Sequence, residues 1–282
     1  MRSVKFLMAA GAASLLSSAA LAADMPSIMP PPQYYAPPAA DFGGWYLRGD
    51  IGMTNQRLKS LNNPDPTVVN ATPPAGMAFD SGMLFGLGVG YQVNNWLRFD
   101  VTGQYRGRAN FHGSQAVVYN YGGFPAYRAD NYSGSKSEVL FLANAYVDLG
   151  TWWCVTPFIG AGVGTSYNRI SSFRDDGIGN QFGRPLPVSV TNAADAGKWN
   201  FAWALHTGLA YKVNPAVTLE LGYSYVNLGS ATTGANTAFD GSAVNQFPWT
   251  MKDITSHDLT LGVRWNLDSP PAYAPPPLIR KG

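Results

Sequence analysis

Charged side chains recur at alternate positions in several short runs of this 282-residue chain. Arg48 and Asp50, Arg98 and Asp100, Arg106, Glu138, Asp148, Glu220, Asp258 and Arg264 all fall in runs whose neighbouring positions are largely apolar. Residues two apart on a strand share a face, so each run carries a charged face and a greasy one. Arginines facing carboxylates in a confined space do one kind of chemistry, mutual ion pairing. A smaller constellation is His112-Gly113-Ser114, in which an imidazole beside a hydroxyl is the raw material of an activated nucleophile. His206 and His257 have no partners at metal-ligand spacing, and Cys154 is the single cysteine. No metal site, disulfide or cofactor is therefore expected.

The elements that must position these groups number eight: Trp45–Met53, Gly82–Gln92, Trp96–Arg108, Glu138–Leu149, Thr156–Tyr167, Trp199–Val213, Val217–Tyr225 and Ser256–Asn266. The greasy face holds Leu47, Ile51, Phe85, Leu87, Phe99, Val101, Phe141, Ile159, Leu205, Leu221, Leu261 and Val263. The other face holds the ten charged residues above, together with Arg108, His206, Lys212 and the glycines 86, 88, 90, 160, 162 and 164. Leu140 and Leu142 interrupt its polarity. Each run is long enough to cross a bilayer at a tilt of about 45°. Tight turns at 93–95, 150–155 and 214–216 alternate with long polar connections at 54–81, 109–137, 168–198 and 226–255. Hydrocarbon offers backbone N–H and C=O groups no partners, so a spanning sheet must close on itself. The expected fold is all-β: an eight-stranded antiparallel up-and-down transmembrane β-barrel, lipid outside and polar lumen inside.

Aromatic placement fits that topology. Tyr91, Trp96, Trp152, Trp153, Tyr211 and Trp265 fall near the short-turn rim, and Tyr105, Tyr167, Trp199, Trp203, Tyr223 and Tyr225 near the other. Trp and Tyr favour membrane–water interfaces because one end of the ring is apolar and the other polar. Residues 1–22 are expected to be a secretory signal peptide: Arg2 and Lys5, an apolar stretch, then Ala20-Leu21-Ala22. Residues 23–43 are a Pro-rich periplasmic tail, 44–267 the barrel, and 268–282 a second Pro-rich tail, both tails disordered or extended because proline supplies no N–H. Without Arg2 and Lys5 the chain carries 17 basic and 17 acidic residues, which argues against a nucleic-acid partner. Charged residues make up only 13% of the chain and aromatics another 13%, as suits a lipid-facing sheet.

The segments Gly44-Trp45-Tyr46-Leu47-Arg48-Gly49-Asp50-Ile51-Gly52, Asn144–Gly150, Thr156–Gly164 and the closing Leu259-Thr260-Leu261-Gly262-Val263-Arg264-Trp265 resemble the small porin-like outer-membrane β-barrel proteins of α-proteobacteria. More loosely they resemble the barrel domain of OmpA. The resemblance implies an abundant component of the cell envelope, residing in the outer membrane of a Gram-negative cell. Its partners would be outer-membrane lipids and lipopolysaccharide, with periplasmic chaperones and the assembly machinery during biogenesis. The chain departs from such families in continuing past Trp265 into a Pro-rich tail. Three functional classes follow. One is a structural barrel whose lumen is either a salt-bridged plug or a narrow channel, with Arg48, Arg98, Arg106 and Arg264 pairing with Asp50, Asp100, Glu138 and Glu220. Another is a surface protein acting through loop aromatics such as Tyr119, Tyr121, Phe124, Tyr127 and Tyr132. The last is an enzyme: His112 and Ser114 resemble the His-x-Ser pair of lipid A deacylases, which also use a Glu further along the chain, but the nearest downstream glutamate, Glu138, points into the lumen. Non-enzymatic function is expected.

Overall fold

A computed structural model of the chain describes residues 43–62, 68–73, 75–242 and 247–268. Eight long strands form a ring: β1 (Gly44–Arg57), β2 (Gly82–Gln92), β3 (Leu97–Tyr121), β4 (Phe124–Asp148), β5 (Val155–Gln181), β6 (Ala196–Lys212), β7 (Val217–Thr232) and β8 (Thr250–Asn266). Each pairs antiparallel with its neighbours in sequence, and β8 closes the ring on β1 from Tyr46↔Asn266 to Arg57↔Thr255. This is the eight-stranded antiparallel barrel that the alternation demands. Its outer wall is greasy: Leu87, Leu261, Val101 and Ile51 are all more than half exposed. The short turns are set locally. The side-chain oxygen of Asn94 accepts from the N–H groups of Trp96 and Leu97, and that of Asn214 from those of Ala216 and Val217, the side-chain cap that makes Asn a turn residue.

Among the described residues the long connections are largely strand rather than loop. β3, β4 and β5 run on for 25, 25 and 27 residues, so most of 109–137 is a β-hairpin and much of 168–198 is strand. Short strands at 68–71 and 75–79 pair with β3, and one at 189–193 pairs with β5. Beyond the apolar band the sheet thus continues for roughly 40 Å of chain, at about 3.3 Å per residue. Its polarity partly inverts there, although Gln115 and Asp130 are buried and Tyr127 and Ile178 exposed. Phe111, Val117, Ala126, Tyr132 and Phe173 point inward and are buried, while Asn110, His112, Asn131, Ser133 and Arg174 are exposed. Water on the outside restores the ordinary greasy-in, polar-out order, and a search for greasy-out strands stops where lipid stops.

Bulges mark the crossover. Arg106 and Ala109 on β3 pair with Glu138 and Lys136 on β4, so three steps oppose two and the phase flips at Gly107-Arg108. Arg108, expected in the lumen, is exposed as a result. Lys212, also expected inside, is exposed because it ends β6 at the short-turn rim. The signal peptide and nearly all of both Pro-rich tails lie outside the described residues. Only Gly43 and Asp268 of them are described, and Asp268 accepts a 2.7 Å hydrogen bond from the Trp45 N–H.

Candidate functional site

The lumen is filled in layers. In the layer nearer the short turns, Arg48 reaches Asp50 and Asp100 at 3.0 Å each, and Glu220 at 3.5 Å across the ring. Arg98 is held by Asp148 at 3.2 Å and Glu220 at 3.3 Å, and Arg264 by Glu220 at 3.3 Å. Aromatic groups knit the layer together. The Tyr46 hydroxyl donates to Asp100 at 3.1 Å, the Arg98 guanidinium lies 4.3 Å from the Tyr146 ring centroid, and Asn144 donates to Asp100 at 2.7 Å. His206 bridges Asn144 and Ser224 through its two ring nitrogens. The inward glycines make this density possible. A methyl group on Gly90 would overlap the ring of Tyr46, which is completely buried. Gly90→Ala is expected to cost about 1–3 kcal/mol by overpacking. Gly107→Ala meets only the Met83 carbonyl oxygen at 3.5 Å and is expected to stay within about 0.5 kcal/mol of wild type. Urea titration of gel mobility on the refolded proteins measures both.

A second charged layer lies above. Arg106 uses two different nitrogens to reach Glu138 at 3.2 Å and Asp258 at 2.6 Å. Lys136 pairs with Glu138 and donates to Gln56 at 2.9 Å, while Gln56 donates to Glu138 at 3.1 Å. Ser256 donates to Asp258 at 2.5 Å and shares a 2.7 Å bond with Thr54. All ten of the charged residues singled out in the sequence stand within these two layers. Sequence reasoning missed Lys136 and Gln56 because both lie in segments taken for loops. The continued alternation of Gln56 with Asn55 and Arg57 was the available signal.

Over the charge lies grease. Leu140 and Leu142, whose inward position was an anomaly in the sequence, belong to a buried apolar cluster with Ile170, Val226, Leu228, Met251 and Ile254. Higher up, Phe173 packs with Phe111, Tyr132 and Trp249, its ring centroid 5.9, 6.1 and 5.7 Å from theirs. Water moves badly through such a zone, because its side chains are mostly apolar and offer few hydrogen bonds. Polar groups in the outer sheet tie its strands together: Tyr119 donates to Asp130 at 3.1 Å and Arg128 to Ser189 at 2.8 Å. Burial pushes the Asp175 carboxyl up to about 8, with the nearby charge of Asp130 adding to the effect.

The aromatic residues sit on the wall. Tyr91, Trp96, Trp152, Tyr211 and Trp265 are exposed at the short-turn rim, where Trp153 is 97% exposed. Tyr105, Trp199 and Tyr223 are exposed toward the other end, whereas Tyr167, Trp203 and Tyr225 are half-buried. Tyr167 pairs with Trp199 at 5.1 Å and Trp203 with Tyr225 at 5.7 Å. His112 is exposed on β3, two residues from Ser114, while Glu138 is engaged inside by Arg106 and Lys136. The structure therefore does not bring a carboxylate from that position to His112. Among the described residues no three His, Cys, Asp or Glu side chains are grouped as a metal site.

Comparison with known proteins gives the following likenesses. A family model described as an outer membrane protein beta-barrel domain matches residues 8–266. An uncharacterised protein of Brucella abortus (strain 2308) is 31% identical over 82% of this chain and 83% of its own length. Outer membrane protein PagN of Salmonella typhimurium is 23% identical, covering 84% of this chain and 96% of its own. A candidate adhesin of Rickettsia prowazekii is 26% identical, over 79% and 87%.

Proposed function

This chain belongs to the outer-membrane β-barrel protein family and is a protein of the outer membrane; from that premise we propose that it is a sealed barrel whose work is done by the sheet it raises above the membrane, as a surface recognition protein. The observation that carries this reading is the far end of that sheet. Two hairpin tips, at Gly122-Gly123 and at Phe182-Gly183, stand side by side, joined by hydrogen bonds from Gln181 to the carbonyls of Tyr121 and Phe124. They hold out Tyr121, Phe124 and Phe182, which are 59%, 56% and 73% exposed. Phe182 has φ of +50°, a left-handed conformation that costs a bulky residue energy. A strained backbone that presents an aromatic ring to water favours recognition, since rigid aromatics bind with little loss of entropy. The name of the Rickettsia relative points the same way. The apolar cluster over the ion pairs argues against solute passage, and the enzyme reading lacks an assembled triad.

Beads carrying the protein in nanodiscs, applied to cultured epithelial monolayers, test the proposal. Wild-type beads are expected to be retained at least about tenfold more than beads with empty nanodiscs, and Y121S/F124S/F182S to fall to that background, since loss of central aromatic anchors removes most of an interface's energy. Wild-type retention at background, or full retention of the triple variant, refutes the reading.

A further inference from the structure

The outer wall carries an uneven set of cations just above the lipid-facing band. On the β5–β6 side both arginines have an acid, Arg169 meeting Asp195 at 3.2 Å and Arg174 meeting Asp176 at 2.9 Å, while Lys198 donates to the Ser230 hydroxyl at 3.2 Å. Where β8 meets β1, the balance fails. Arg57 follows Met53 and Asn55 up the outward face of β1, and Lys59 lies two residues past the strand's end, all exposed. Lys252, also exposed, is brought beside them by the Lys59 N–H to Lys252 carbonyl hydrogen bond and by the pairing of Lys252 with Ser60. Asp253, 3.6 Å from Lys59, is the acid paired there. Among the described residues three cations thus share one carboxylate in a chain that is otherwise sparing with charge, and like charges on neighbouring strands repel.

This arrangement is built by the backbone. Ile254 and Met251 on β8 face Gly229 and Ala231 on β7, so three steps oppose two, and Asp253 takes φ of +53°. That bulge leaves Met251 and Ile254 buried while both Lys252 and Asp253 emerge. The bulge at Gly107-Arg108 ejects another exposed cation. Gln56, joined to Glu138 at 3.1 Å, sits at the level of the Arg106–Glu138 pair, so Arg57 and Arg108 stand at similar heights. The neighbouring ring level is aromatic: Tyr225 pairs with His257, and Tyr223 with Leu259. Cations immediately outside an aromatic girdle lie at the depth of lipid headgroups.

We propose that Arg57, Lys59 and Lys252 form a binding site for the phosphate groups of the outer-leaflet glycolipid, the lipid A part of lipopolysaccharide. The acyl chains would lie on the greasy wall of β8 and β1 below, along Met53, Leu259 and Leu261, which are all more than half exposed. The site commits to a lipid-borne phosphate rather than a free one because cations and acyl surface are continuous on the same two strands.

Binding of the detergent-solubilised full chain to bisphosphorylated lipid A, to enzymatically dephosphorylated lipid A and to inorganic phosphate tests this. Wild type is expected to bind the bisphosphorylated form at least about tenfold more tightly than the dephosphorylated form, and inorganic phosphate far more weakly than either. R57Q/K59Q/K252Q is expected to bind the bisphosphorylated form on the order of a hundredfold more weakly, as three headgroup-level cations are lost. R169Q/R174Q on the opposite wall stays within about twofold. A wild type blind to the phosphates, equal losses in both variants, or an unaffected triple variant each overturns the site. Wild-type protein supplies a check that needs no substitution. Acetylation of Lys59 and Lys252 by a water-soluble reagent should fall severalfold when bisphosphorylated lipid A is bound, with Lys198 and Lys212 unchanged; uniform protection, or none, counts against the proposal.

Discussion

Arg106→Ala is expected to lower the stability of the refolded barrel by about 3–5 kcal/mol, the cost of leaving buried charge uncompensated. Arg106 is fully buried, and so is Glu138; the Asp258 side chain is 2% exposed. The guanidinium bridges the two carboxylates through separate nitrogens. Without it Glu138 keeps Lys136 and Gln56, but Asp258 keeps only the Ser256 hydroxyl. Arg106→Lys is expected to recover only part of the loss, because an ammonium is a point charge and cannot span both acids as a planar fork does. Adding Asp258→Asn to Arg106→Ala should cost less than the sum of the two single changes, since the second removes the anion that the first stranded. Urea midpoints read by gel mobility decide the matter. A loss below about 1 kcal/mol for Arg106→Ala would mean that this layer is wet and its charges are already screened.

The second large effect concerns conduction. Wild-type protein in a planar bilayer is expected to carry no stable unitary current, because a path would have to cross two ion-paired layers and then the cluster around Phe173. Phe173→Ala is expected to stay silent, since both charged layers remain beneath it, yet to lose about 3–5 kcal/mol as a large aromatic leaves a packed site. The two readouts therefore separate. Stable unitary steps in wild type that change with Arg98→Ala would remove the sealed-barrel reading and leave a channel lined by the lower layer. Silence together with a small stability loss for Phe173→Ala would mean instead that the apolar cluster is loosely packed.

Both effects rest on features that the sequence displayed unequally. Leu140 and Leu142 were plain in the chain as apolar residues on a polar face, but only their burial against Ile254, Met251 and Leu228 gives them meaning. Arg108 shows a limit of period-two reasoning. Its position along β3 assigns it to the lumen, and one bulge sends it to the opposite face. No property of Gly107-Arg108 considered alone announces that bulge.

What the sequence determined by itself is the membrane-spanning part: eight strands, their order and direction, and which side meets lipid. That information is local, because hydrocarbon on one side of a strand forces alternation within the strand itself. The tertiary structure decided the rest. Which carboxylate meets which arginine depends on how neighbouring strands are staggered around a closed ring, and a stagger is a property of the ring rather than of any strand. Glu220 meets Arg98, Arg48 and Arg264 from three other strands for that reason. The outer sheet was hidden for a related reason. Once water replaces lipid the inside-out pattern weakens, and the hydrogen-bond ladder that carries β4 and β5 onward joins residues far apart in the chain, from Ser135↔Ser171 to Tyr127↔Asn180.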